Sequence, residues 1–175
     1  MKLTAISVST RARTAAGRRP VHIAVIAALA LSLIGASPFV SSAHAAAGAL
    51  LSQGKATTAS SSESTAYPAS NATDGNTGTR WSSAFSDPQW LQVDLGTTHT
   101  LNKVVLNWEA AYASAYQIQT SNDTTNWTTI YSTTTSTGGL QTLNVSGSGR
   151  YVRMYGQNRA TPYGYSLWEF QVFGT

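Results

Sequence analysis

The groups able to make or break bonds are few. Seven carboxylates, Glu63, Asp74, Asp87, Asp94, Glu109, Asp123 and Glu169, all lie beyond residue 62. Beyond residue 45 they are accompanied by one histidine, His99, and no cysteine. One histidine assembles neither a nucleophile–base relay nor a histidine metal centre, and His99, in an expected turn, reads as a surface residue. Two carboxylates can in principle act as the acid and base of a glycosidase. A small β domain usually presents shallow surface sites instead, so the sequence favours binding over catalysis. The aromatic residues in turn-like stretches, Phe85, Tyr112, Tyr163 and Tyr165, suit that role. An aromatic face covers the C–H side of a pyranose, while Arg, Asn, Gln and carboxylates hydrogen-bond its hydroxyls. Trp90 and Trp127 fall inside expected strands and are assigned to core or sheet packing.

Loops on a rigid sheet are the natural carriers of such side chains, and the chain reads as strand after strand. Trp90–Leu95 alternates, with Leu91, Val93 and Leu95 on one face. Further strands are expected at 101–108, 116–120, 127–131, 140–145, 150–155 and 167–173. Turns are expected at Ser121-Asn122-Asp123, Gly138-Gly139 and Ser146-Gly147-Ser148-Gly149. The polar run Asn71–Thr79 predicts a tight loop with many exposed carbonyls. No 3.6-residue period persists in this region. Seven or eight short strands with turn-rich connections predict an all-β antiparallel sandwich.

Ahead of these strands stands a leader. Lys2, Arg11, Arg13, Arg18 and Arg19 precede a mostly apolar run, Val21–Val40, and Ala43-His44-Ala45 offers a small-x-small cleavage site. The expected organisation is a secretory signal over 1–45, a flexible segment over 46–55 and one domain over 56–175. Arg18-Arg19 leaves the general secretory and twin-arginine routes both open. The whole-chain charge of +4 is misleading, because five of 11 basic residues lie in the leader and all seven acids follow it. Six bases against seven acids leave about −1, with no basic stripe to track phosphates, so nucleic acid is excluded as a partner. Absence of cysteine means that an extracellular role proceeds without disulfides.

Many ordered matches resemble the discoidin, or coagulation-factor type C, domain as found in family-32 carbohydrate-binding modules. They include Ala72-Thr73-Asp74-Gly75-Asn76, Thr79-Arg80-Trp81-Ser82 and Asp87-Pro88-Gln89-Trp90-Leu91-Gln92-Val93-Asp94-Leu95-Gly96. Val104, Leu106, Trp108, Tyr116, Ile118-Gln119, Ser121-Asn122-Asp123, Trp127, Arg150-Tyr151-Val152-Arg153 and Leu167-Trp168-Glu169-Phe170 continue the pattern. The resemblance implies an eight-stranded jelly-roll β-sandwich, galactose-binding-domain-like, with binding loops at one end and adjacent termini. It also implies a structural calcium. Its ligands are the carboxylates of Asp74 and Glu169, the hydroxyl and carbonyl of Thr79, and the carbonyls of Asn71, Asn76 and Trp168, hard oxygens of the kind Ca²⁺ accepts.

Within that family the chain is most similar to the discoidin domains of bacterial chitosanase/glucanase enzymes, through Trp81–Trp90, Leu106–Tyr112 and Gly164–Glu169. There, two glutamates, an arginine and an aromatic grip the terminal sugar of a chitosan oligomer. The matching positions are Glu63, Arg80, Phe85 and Glu109, with Glu109 favoured first and Tyr112 and Tyr165 expected on the rim. Phe85 keeps a stacking surface but lacks the hydroxyl of a tyrosine. The expected function is non-catalytic binding of an oligo- or polysaccharide, chitosan first, with β-1,3-glucan or a galactose-containing polymer as the alternative. Adhesion to protein or lipid is a third reading, for which no apolar loop tip flanked by Lys or Arg is evident. The protein is expected to be secreted, monomeric and, with a leader but no second module, free-standing, without membrane insertion once the leader is removed.

Overall fold

The computed structural model describes residues 48–175; the expected leader lies outside the described residues. In chain order the elements are β1 (Ala49–Leu50), β2 (Thr57–Ala59), a 3-10 helix (Ala69–Thr73), β3 (Trp81–Ser82), β4 (Gln89–Trp108), β5 (Ala113–Ser121), β6 (Thr128–Thr133), β7 (Leu140–Arg159) and β8 (Ser166–Gly174). The hydrogen-bonded path runs β1-β8-β4-β7-β5-β6, with β2 added to β4 and β3 to β8. Every pair is antiparallel.

Two 20-residue strands, β4 and β7, turn this path into a sandwich. Residues 89–94 of β4 pair with 151–156 of β7 and with β2, whereas 101–108 pair with β8 and with 140–147 of β7. Between the halves, register shifts at Asp94/His99 and Leu101/Lys103 bend the strand, and Gly96 at φ 91° supplies a backbone conformation that a side chain would resist. Each long strand thus serves both layers, as the jelly-roll expectation requires. Alternation fills the space between them. Leu91, Val93, Leu106, Ile118, Val152, Met154, Leu167, Phe170 and Val172 are all fully buried, each contributing roughly 1.5–3 kcal/mol by leaving water.

Three expectations need correction. Ser146–Gly149 is not a loop: Gly147, Ser148 and Gly149 pair with Leu101, Thr100 and His99. The glycines serve packing there, since a Cβ on Gly147 would stand 2.6 Å from Ile130 Cγ2 and one on Gly149 3.0 Å from the Thr120 side chain. The same pairing puts His99 within β4 rather than in a turn. Nor is the described part of 46–55 a loose lead-in. Ala49 and Leu50 pair with Gly174 and Phe173, the Leu51 N–H donates to Val172 O at 2.8 Å, and Ser52 is buried. That pairing also brings the two ends of the domain together. Among the described residues no helix is long and apolar enough to cross a membrane.

Candidate functional site

Loops entering and leaving β3, the exit of β4 and the β7–β8 connection meet in an open cleft of about 320 Å³. Its walls include Glu63, Arg80, Phe85, Glu109, Thr161 and Tyr163. Four of the six sequence-selected binding positions therefore line one depression, although they come from three separate stretches of chain.

Arg80, Glu109 and the backbone of Glu63 are held by hydrogen bonds to neutral partners. Ser166, fully buried at the start of β8, is the hub. Its carbonyl accepts from the Glu109 N–H at 3.0 Å, its N–H donates to Ala111 O at 2.7 Å, and its hydroxyl accepts from Arg80 Nη1 at 2.8 Å. The Glu109 carboxylate is aimed by the Ala111 N–H, which donates to Oε2 at 2.9 Å. The Arg80 guanidinium also lies over the Tyr67 ring, 4.0 Å from its centroid. The Glu63 N–H donates to Ser82 O at 2.7 Å, and the Trp81 indole N–H donates to Ser61 O at 3.0 Å, fixing the loop that carries Glu63. Among the described residues, ion pairs join Arg150 to Asp94 and Arg159 to Asp87, whereas Glu63, Arg80 and Glu109 take part in none.

The aromatic wall is a corner. Phe85 and Tyr163, 50% and 63% exposed, meet edge to face with centroids 5.8 Å apart. Arg159 holds it in place by donating from Nη1 to Pro162 O at 3.1 Å and to Tyr163 O at 3.3 Å, and from Nε to Asp87 Oδ2 at 3.3 Å. The loop of Phe85 and the loop of Tyr163 are thereby tied to each other. Asp87 also accepts a hydrogen bond from the Tyr165 hydroxyl.

Two expected rim residues lie elsewhere. Tyr165 is fully buried, filling space that Gly156 leaves, where a Cβ would stand 2.7 Å from the ring. Burial first, then the hydrogen bond to Asp87, push its hydroxyl well above the usual tyrosine range. Tyr112 packs against the core, close over Gly138. Neither reaches the cleft, whereas Tyr163 does. Its position in the Pro162 loop was the available signal, since a residue next to proline in a turn cannot easily enter the ladder. Ser166 carried no such mark, whereas Tyr67, directly before Pro68, did. Trp127 and Trp90 are likewise away from the cleft: Arg153 stacks on Trp127 at 3.9 Å, and Trp90 faces Tyr155 across the ladder.

On the loop after the 3-10 helix, Asp74 Oδ1 accepts from the Asn76 N–H at 2.8 Å and Oδ2 from the Thr79 hydroxyl at 2.7 Å. The Asn71 side chain donates to Arg80 O at 3.1 Å. Trp168 is the extra residue of a bulge, since Leu167 pairs with Trp108 and Glu169 with Asn107. Glu169, 5% exposed, turns toward Asp74, and its Oε1 has no hydrogen-bond partner. Its carboxyl is pushed up to about 7, by burial first and then by the Asp74 charge, against the pull of the Gly75 and Asn76 N–H groups. A buried, partly orphaned carboxylate beside a second one is a donor set that a hard cation would satisfy. Among the described residues no group of three or more His, Cys, Asp or Glu converges, so the remaining donors would be hydroxyl and carbonyl oxygens.

A profile of the F5/8 type C domain family matches residues 56–170. Chitosan-binding module 1 from the chitosanase/glucanase of Paenibacillus sp. IK-5 is 53% identical, with 72% of this chain and 99% of that one covered and a TM-score of 0.70. Module 2 of the same enzyme, solved in complex with chitotriose, is 49% identical over 71% of this chain and 99% of that one, with a TM-score of 0.69. CpGH89CBM32-5 from Clostridium perfringens, solved with GalNAc-β-1,3-galactose, shares the fold at 24% identity, 72% and 100% coverage and a TM-score of 0.66. A search of curated protein sequences found no match.

Proposed function

The chain belongs to the F5/8 type C domain family, and from that premise we propose that its domain binds a carbohydrate without catalysing a reaction, with a chain of glucosamine units as the preferred ligand. One observation carries the reading: two carboxylates and a guanidinium face one open cleft beside an aromatic corner, and none is neutralised by an ion pair among the described residues. A protonated glucosamine offers the complement. Its ammonium donates charge-assisted hydrogen bonds to Glu109 and Glu63, its C–H face lies against Phe85 or Tyr163, and Arg80 donates to a ring hydroxyl. The names of the relatives at 49–53% identity, chitosan-binding modules both, support the same ligand class. A neutral β-1,3-glucan or galactose polymer would leave the two carboxylates without a charged partner. Secretion under the expected leader belongs to this reading.

Affinity for a single unit is modest, because an open site orders side chains for little buried area. Calorimetric titration with glucosamine oligomers at pH 5.5, beside N-acetylated oligomers and laminarin oligomers, tests the proposal. Heat confined to the free amines supports it, and heat only with laminarin overturns the glucosamine reading.

We further propose that calcium is held by the carboxylates of Asp74 and Glu169 with Thr79 and the carbonyls of Asn71, Asn76 and Trp168. The orphaned Glu169 Oε1 supports the fit. The ion would contribute stability and fix the 71–79 loop against β8. That loop leads directly into Arg80, so its order bears on the cleft without the ion touching sugar. A rise in melting temperature on adding calcium to chelator-treated protein is the expected result.

A further inference from the structure

Away from the cleft, alternation turns one set of side chains out of the layer that β4 and β7 share with β5. Leu91, Val93, Val152 and Met154 are buried, so Trp90, Gln92, Arg153 and Tyr155 face the other way and stay half-buried. In the ladder Trp90 stands beside Tyr155 and Gln92 beside Arg153. The Arg153 guanidinium lies 3.9 Å from the Trp127 ring centroid and 5.1 Å from that of Tyr155, and its Nε donates to Gln119 Oε1 at 2.6 Å. Gln119 is itself fixed, donating from Nε2 to Gln117 Oε1 at 2.6 Å and to Thr129 Oγ1 at 3.3 Å. The Trp127 indole N–H donates to Thr124 O at 3.0 Å, which sets the ring over the arginine.

No acid balances this cation. Asp94, the one carboxylate on β4, β5, β6 and β7, is held by Arg150 through two bonds of 2.8 Å. Asp123, in the loop that carries Trp127, accepts from Ser121, Thr125 and Asn126. Among the described residues the Nη groups of Arg153 make neither an ion pair nor a hydrogen bond. Burial draws its pKa below the ordinary arginine value, with no carboxylate to restore it. A guanidinium stacked on aromatic rings with its fork open takes a carboxylate in two parallel bonds. Half-buried aromatics among neutral amides suit the C–H faces and hydroxyls of sugar rings.

We infer that this face is a second carbohydrate-binding surface, and that its ligand is an acidic polysaccharide whose uronate carboxylate binds Arg153. The sugar ring rests on the Trp90–Tyr155 pair, and Gln92 hydrogen-bonds its hydroxyls. Charge separates the two sites, since the main cleft offers two carboxylates to a cation and this face offers a lone cation to a carboxylate. The surface is independent of the glucosamine reading of the main cleft, and either can fail alone.

The test is a titration of the protein at pH 7 with trimers of galacturonate and of glucuronate, beside their methyl esters and inorganic sulfate, followed by nitrogen-15 NMR. An acid trimer should move the Trp127 indole N–H and the amides of 151–155, but not those of Glu63, Phe85 and Glu109. Its ester should bind about 5- to 30-fold more weakly. Two variants separate binding from packing. Gln92→Glu sets a carboxylate beside Arg153 in the ladder and should weaken the acid by a similar factor while the melting temperature holds. Arg153→Gln should bind acid and ester alike. Neither should change affinity for glucosamine oligomers, measured by calorimetry at pH 5.5. No movement of this face by either trimer, equal affinity of the wild type for acid and ester, or sulfate that matches the trimer overturns the surface and leaves the reading of the main cleft untouched.

Discussion

Replacing Glu109 by glutamine isolates charge from shape at the centre of the cleft. The carboxylate does two things: Oε2 accepts the Ala111 N–H at 2.9 Å, and the group faces the cleft. Glutamine keeps an oxygen for the Ala111 N–H, so the loop should hold its course and the melting temperature should move by no more than a few degrees. Alanine would be a poorer probe, because it also leaves that N–H without its acceptor, a separate cost of about 1 kcal/mol. What glutamine removes is the charge. A hydrogen bond to a charged group contributes about 1.5–3 kcal/mol, and water access to this open cleft places the effect at the lower end, about 1–2 kcal/mol. Affinity for glucosamine oligomers should therefore fall roughly 5- to 30-fold. Calorimetry at pH 5.5 measures it, with N-acetylated oligomers of equal length as the internal control. The acetamide carries no charge, so its already weaker binding should change little. An unchanged affinity for the free amine, or an equal loss for both ligands, would refute the ammonium–carboxylate pairing.

Ser166→Ala removes a fully buried hydroxyl that accepts from Arg80 and donates to Trp81 O at 3.1 Å; stability should fall by about 1–3 kcal/mol in urea melts, with weaker sugar binding as Arg80 loses its anchor. Arg159→Met cuts the tie between the Phe85 and Tyr163 loops. The expected result is loss of affinity with a change in stability within about 1 kcal/mol, since the ion pair to Asp87 is partly exposed; unchanged affinity would show that the aromatic corner needs no clamp. Chelation should expose the Glu169 charge. Its folded carboxyl, raised to about 7, exceeds the unfolded value near 4.3, so stability present below about pH 4.5 is lost as pH rises through 7, up to about 4 kcal/mol. Thermal melts of chelated protein between pH 4.5 and 8 should therefore decline, and calcium should remove the decline.

The sandwich was legible because alternation is a local signal. Leu91, Val93 and Leu95 against Trp90, Gln92 and Asp94 fixes which face is inside before any partner strand is known. What alternation does not reveal is where a strand continues through a bend. Ser146-Gly147-Ser148-Gly149 has turn composition, yet its glycines are there to let Ile130 and Thr120 come close. Such a need arises from residues distant in sequence. The same limit divides the candidate site. Glu63, Arg80, Phe85 and Glu109 were reached through resemblance, which carries position-specific information. Tyr112 and Tyr165 were chosen on type and loop location, and type does not separate a ring facing solvent from one filling the space over Gly138 or Gly156. Ser166 was invisible for a different reason: its role is a set of three connections between β8, Arg80 and the β4 exit, and nothing about a serine before a strand announces them.

Those connections explain how the cleft keeps its charges available. An Arg80–Glu109 or Arg80–Glu63 ion pair at this surface would contribute about 0–1 kcal/mol, so leaving it unmade sacrifices little stability. Forming it would have a larger consequence for binding, because each ligand would first have to break it. The arrangement avoids this by fixing direction with neutral partners. The Ser166 hydroxyl and the Tyr67 ring hold the guanidinium, and the Ala111 N–H holds the Glu109 carboxylate. Hydrogen bonds of that kind remove rotamer freedom before the ligand arrives, which lowers the ordering cost of association, yet they leave the formal charge in place. Arg150 and Arg159 show the contrast, since both are paired with aspartates and both act as ties between strands or loops. Among these three, the arginines with an acidic partner tie strands or loops, and Arg80, anchored by a hydroxyl and an aromatic ring, lines the cleft.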